Sequence, residues 1–133
     1  MASIVRFPDP MLECIRYLSR YYPLVVPEVP EGWAWDGLLI VVTDVGGGGA
    51  YEVVLDDARL MIEIAHPDHA VASEAARTVY GLLRQWPAEQ SGVYWRDTIM
   101  RPTWSSDEQT RTPGYAMTVA LAFRGEAVKI NQR

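Results

Sequence analysis

The spacing of apolar and polar positions changes several times along the chain, and each change predicts an element. Between Pro8 and Pro23, Met11, Leu12, Ile15, Leu18 and Tyr22 recur every three or four places, while Arg16, Ser19 and Arg20 fall mostly on the other side. That is the signature of an amphipathic helix. Asp9 suits its N-cap, Pro10 its first helical position, and Pro23 its stop. Tyr17, Tyr21 and Tyr22 place aromatic rings on more than one face. The helix therefore packs either on its own core alone or also on a neighbouring chain.

Residues 23–37 carry three prolines and two glycines, which exclude a long helix or a central strand. A short extended piece fits at Leu24–Val26. Trp33 and Trp35 lie in this connector. Two large aromatics there either cover one end of the core or mark an interface.

Leu38–Thr43 is a continuous apolar run and predicts a buried strand. Gly46, Gly47, Gly48 and Gly49 follow. No lysine and serine or threonine of a phosphate loop accompany them, and no helix opens there. The run reads as a flexible hairpin tip, one that a partner would be able to order. In the next stretch Ala58, Leu60, Ile62 and Ile64 alternate with Arg59, Met61, Glu63 and Ala65, as in a half-buried strand. The two strands predict an antiparallel hairpin.

Pro67 breaks that strand and Asp68 caps a second helix. Its apolar stripe is Ala72, Ala75, Ala76, Val79, Leu82, Leu83 and Trp86, and Pro87 is expected to end it. Val93–Met100 alternates as a strand whose apolar side, Val93, Trp95 and Ile99, is interrupted by Asp97. Arg101–Gly114 is polar with two prolines and reads as a loop. Tyr115–Phe123 is a strong strand, with Tyr115, Met117, Val119, Leu121 and Phe123 on one face and Ala116, Thr118, Ala120 and Ala122 on the other.

The order α, β, β, α, β, β predicts an α+β fold: a mainly antiparallel sheet of about four strands with two helices packed on one face. The length of 133 residues fits one domain, 1–133, with residues 126–133 a flexible tail. Composition excludes several classes. There is no apolar run of membrane-spanning length and no apolar signal core at the N-terminus. Cys14 is the single cysteine, so neither an internal disulfide nor a cysteine metal framework is available. A formal net charge of −5 argues against a protein held on nucleic acid by phosphate neutralisation.

Candidate chemistry is sparse. His66, Asp68 and His69 are close in sequence, but Asp68 is already committed as a cap, and no second histidine or cysteine cluster completes a metal shell. The segment reads as a strand-to-helix turn. Asp56-Asp57 and Asp107-Glu108 read as solvated carboxylates beside turns. No catalytic, cofactor-binding or metal-binding residue is predicted, and no cofactor. Arg101 and Trp104 are more informative, because these residue types are enriched at interface hot spots.

Two passages resemble the tail-terminator proteins of long-tailed actinobacterial phages. One is ARLMIEIAHPDHAVASEAARTVYGLLRQWP, a strand entering an alanine-rich helix through a polar turn. The other is GVYWRDTIMRPTWSSDEQTRTPGYAMTVALAFRG, in which Arg101, Pro102, Trp104, Pro113, Tyr115, Phe123, Arg124 and Gly125 match the family pattern. The similarity is one of order and residue type and covers most of residues 8–125. It implies a non-enzymatic α+β protein that forms a ring, expected to be a hexamer. The ring would cap the tail tube, stop its polymerisation and dock the tail on the head-completion or connector protein. DNA would pass through the lumen as cargo. The expected location is the virion neck, after assembly in the host cytoplasm. The expected interface residues are Gly46, Gly47, Gly48, Gly49, Arg101, Trp104, Trp33 and Trp35. Another neck component is the alternative within this class. A small ligand-binding α+β domain or enzyme is the alternative outside it.

Overall fold

The computed structural model describes residues 2–105 and 112–131. In chain order the elements are β1 (Ala2–Arg6), α1 (Pro10–Leu18), β2 (Val25–Val26), β3 (Leu39–Asp44), β4 (Gly49–Tyr51), β5 (Leu55–Ala65), α2 (His69–Glu89), β6 (Val93–Trp104), β7 (Gly114–Arg124) and β8 (Glu126–Ile130). The fold is α+β, as expected, but with more strands than four. Six strands form the main sheet in the order β2-β3-β5-β7-β6, with β4 added to β5. All its pairings are antiparallel except β2 with β3. β1 and β8 form a separate two-stranded antiparallel ribbon.

One sheet face makes the core. Ile40 and Val42 of β3, the Ala58–Leu60–Ile62–Ile64 row of β5 and the Met117–Val119–Leu121–Phe123 row of β7 are buried under both helices. The caps predicted for those helices form. The Asp9 carboxylate accepts from the N–H groups of Met11 and Leu12 at 3.0 and 3.2 Å, and the Asp68 carboxylate from that of Ala70 at 2.8 Å. The small side chains of Ala72, Ala75 and Ala76 are buried and let α2 approach the sheet closely. The helices meet where Tyr17 stacks on Trp86, with ring centroids 4.9 Å apart. The Tyr17 hydroxyl donates to the Glu89 carboxylate at 2.7 Å, and Trp86 makes a T-shaped contact with Phe123, ring centroids 5.6 Å apart.

Several expectations are corrected. The face predicted for α1 is met in part: Leu18 is buried and Met11, Ile15 and Tyr22 pack against the core, but Leu12 is exposed and Tyr17 is buried in addition. The stack on Trp86 brings in Tyr17, which apolar spacing alone does not foresee. Pro87 lies inside α2, which continues to Glu89. Pro87 removes the N–H that would bond the Leu83 carbonyl, but only two helical residues follow it, so little of the helix depends on that bond. Asp97 does not interrupt the core side of β6. A bulge between Trp95 and Asp97 turns it to the opposite face, beside Ala120. Arg101–Trp104 is strand, not loop, and Pro102 is accommodated because β6 is an edge strand with bulges on both sides of Met100.

The glycine run is not the hairpin tip either. Val45 and Gly46 still bond to Arg59, so the run is a kink between β3 and β4, both of which pair with β5. The tip is Glu52–Val54, where Glu52 and Val53 have φ of 48° and 64°. Residues 126–130, expected to be flexible, are β8, whose partner β1 lies at the far end of the sequence.

Candidate functional site

The expected interface residues separate to two ends of the main sheet. β5 and β7 run antiparallel over eleven residue pairs, from Leu55 opposite Arg124 to Ala65 opposite Gly114. The glycine run lies toward the first end. Gly47 presses so closely on β5 that a Cβ there would stand 2.8 Å from the Asp57 carbonyl oxygen and 2.9 Å from the Arg59 nitrogen. Gly46 and Gly48 have room. The ribbon joins this same end: Gly125 N–H donates to the Val54 carbonyl, and a Cβ on Gly125 would collide with Val5 and Phe7.

Trp104, Arg101 and Trp35 belong to the second end, and Trp33 lies in the connector before β3, against Gly37. Trp104 pairs in register with Tyr115, stacks on His69 and remains 46% exposed. The Tyr115 hydroxyl lies 2.9 Å from His69 Nε2. Arg101 is exposed, and its guanidinium reaches only the neighbouring Pro102 carbonyl among the described residues. Trp33 and Trp35 are half-buried. Trp35, in the left-handed region at φ 59°, joins Val29, Leu39, Val41 and Tyr115 around a cavity of about 100 Å³ on the sheet edge. Pockets for small organic ligands are usually about 300–1,000 Å³.

The turn residues hold one another. His66 Nδ1 accepts from the Asp68 N–H at 2.9 Å, Asp68 caps α2, and His69 belongs to the Trp104 stack. Among the described residues no three His, Cys, Asp or Glu side chains are placed to hold a metal ion. Asp57 lies 3.3 Å from Arg96, whose guanidinium also sits over the Tyr51 ring. Burial, together with the negative charges of Asp44 and Asp57, raises the Asp56 pKa above its ordinary value. Burial likewise lifts the Cys14 thiol to about 12, so it is no nucleophile near neutrality. Asp107 and Glu108 lie outside the described residues. No helix among the described residues is long and apolar enough to cross a membrane.

Sequence reasoning missed two surfaces. One is the ribbon, where Ile4 and Ile130 are 42% and 45% exposed. ASIVR and EAVKI do alternate, but each is only five residues long and its partner lies more than 100 residues away. The other is β6, where Tyr94 is exposed ahead of the bulges and Ile99 and Met100 are exposed where the bulges break the simple alternation. No family model matches the chain, and no curated protein matches its sequence.

Proposed function

We propose that this protein is a structural component of a phage neck, by preference the tail terminator. It acts by shape and self-association, as a hexameric ring on the end of the tail tube. The ring stops tube polymerisation and docks the tail on the head-completion or connector protein, and DNA crosses its lumen. The site of action is the virion neck, reached by assembly in the host cytoplasm.

The observation that carries this reading is the pair of unlike exposed apolar surfaces at opposite ends of one sheet. One end presents Trp104 stacked on exposed His69. The other presents the ribbon and the tip residue Val53, which is 79% exposed. Rings form by head-to-tail contacts between two different patches of the same subunit, and a subunit so built has both patches. The resemblance supplies the biological setting, through Arg101, Pro102, Trp104, Pro113, Tyr115, Phe123, Arg124 and Gly125 in their order along the chain. A net charge of −5 is compatible with a conduit that does not grip DNA.

Electron microscopy of particles assembled with and without the protein tests the proposal. A terminator is expected to leave, when absent, tail tubes of uncontrolled length that are not joined to capsids. Normal-length but unjoined tails would instead assign the protein to head completion. Normal tails on filled capsids would overturn both readings.

A further inference from the structure

The β1/β8 ribbon is too small to be stable on its own account. Isolated two-stranded ribbons are marginal in water, and no other helix or strand of the described residues packs on this one to any extent. It also has a distinct apolar face. Register places Ala2 beside Ile130 and Ile4 beside Val128, and these pairs share one side. The next pair on that side is Arg6 with Glu126, an exposed ion pair at 3.3 Å. From base to tip the face therefore reads charged pair, apolar pair, apolar pair.

On the face turned away from the helices the main sheet carries two rows that match the first two pairs of the ribbon. One row is Arg59, Ala120 and Asp97, side by side on β5, β7 and β6. The next is Met61, Thr118 and Met100. Arg59 and Asp97 are exposed, and neither makes an ion pair among the described residues. With Ala120 as its floor, the first row lies in an open cleft of about 340 Å³. Successive rows are two residues apart, about 6.7 Å, on the ribbon, β5 and β7, and three residues apart on β6, where a bulge intervenes.

We propose that the β1/β8 ribbon is an assembly arm that lies in this cleft on a second copy of the chain, an inference that rests on the ring reading above. Ile4 and Val128 cover the Met61–Thr118–Met100 row, and the small side chains of Thr118 and Ala120 leave space for them. Arg6 faces Asp97 and Glu126 faces Arg59, so each unpaired charge of the cleft meets its opposite. Arm and cleft are different patches, and contacts of this kind pass from copy to copy in one direction.

Self-association measured by sedimentation velocity tests the contact, with circular dichroism checking the fold of each variant. Ile4→Lys with Val128→Lys is expected to weaken association about tenfold or more, because it places charge on the pair that covers the Met61–Thr118–Met100 row. Reversing the cleft charges with Arg59→Glu and Asp97→Arg is expected to weaken it as well. Adding Arg6→Glu and Glu126→Arg to that variant is expected to restore it. A wild-type protein that is monomeric at every concentration overturns the arm contact, as does an arm variant that associates like the wild type. So does a fourfold charge variant no better than the twofold one. Rings that persist in the arm variant overturn the arm and leave the ring reading standing. Arm-dependent open chains that never close overturn the ring reading and keep the arm.

Discussion

The imidazole of His69 lies nearly flat on the indole of Trp104, with ring centroids 4.4 Å apart and planes 18° from parallel. His69 opens α2 and Trp104 closes β6, so this stack ties the start of the long helix to the end of the edge strand. The Tyr115 ring meets both edge-on. Trp104 thus has partners in its own chain and still offers a face to solvent. Trp104→Ala is expected to lower monomer stability by about 1–2 kcal/mol in urea titrations, the scale of lost aromatic pairing plus partial burial. A loss well above that would mean the tryptophan acts as core.

Gly47 and Gly48 are neighbours with opposite demands. Gly47→Ala forces a Cβ into the β5 backbone, at a φ of 123° that L-residues rarely adopt. The expected loss is about 2 kcal/mol or more. Gly48→Ala meets only ordinary contact with the Asp57 side chain. Its unfolding midpoint is expected to match the wild type within about 0.5 kcal/mol. Equal effects at the two positions would refute a kink pinned to β5.

Val53 is β-branched, exposed and in the left-handed region at φ 64°. Glycine adopts that conformation without the Cβ clash that costs a β-branched residue about 1–2 kcal/mol. Val53→Gly is expected to raise the thermal midpoint of the monomer. If it also weakens assembly, the exposed valine is a contact made at the expense of local strain.

The buried Cys14 thiol sets a pH dependence. Its folded pKa of about 12 exceeds the ordinary value of 9.0. Between those two values the unfolded chain has released a proton that the folded chain retains, so stability falls as pH rises through that window. The slope from this group approaches about 1.4 kcal/mol per pH unit. Tyr17, raised by burial and by its bond to Glu89, adds to the fall at the upper end. Cys14→Ala is expected to flatten the decline just above pH 9, read from urea midpoints across pH. Thiol reagents are expected to label Cys14 only in denaturant.

Asp56 carries a cost of the same sign at lower pH. Burial and the charges of Asp44 and Asp57 disfavour its ionised form in the folded state. Stability from this group is present below the ordinary carboxylate value and is lost as pH rises from there through the raised value of the folded state. Asp56→Asn is therefore expected to stabilise the protein at pH 7. The variant should gain nothing in acid, where Asp56 is already protonated.

Much of the framework could be read from local pattern. Both N-caps, the alanine stripe of α2, the pairing of β3 with β5 and the two faces of β7 all rest on contacts within a few residues or on a strict alternation. The failures share a different cause. The parity of Asp97 depends on a bulge, and a bulge reverses every later inference from alternation. The burial of Tyr17 depends on Trp86, 69 residues beyond it. The candidate site was less legible still. Its residues were chosen for chemical type, and type says nothing about which of them share an end of the sheet.

Composition and periodicity were sufficient for the fold class, for the places where helices begin and for the core faces of β5 and β7, because burial and capping act over neighbouring residues. Folding in three dimensions brought Ala2–Arg6 to Glu126–Ile130, set the glycine run against β5 and laid His69 on Trp104. Those contacts join segments far apart in the chain, and their formation depends on closing long loops and on the rest of the core being in place.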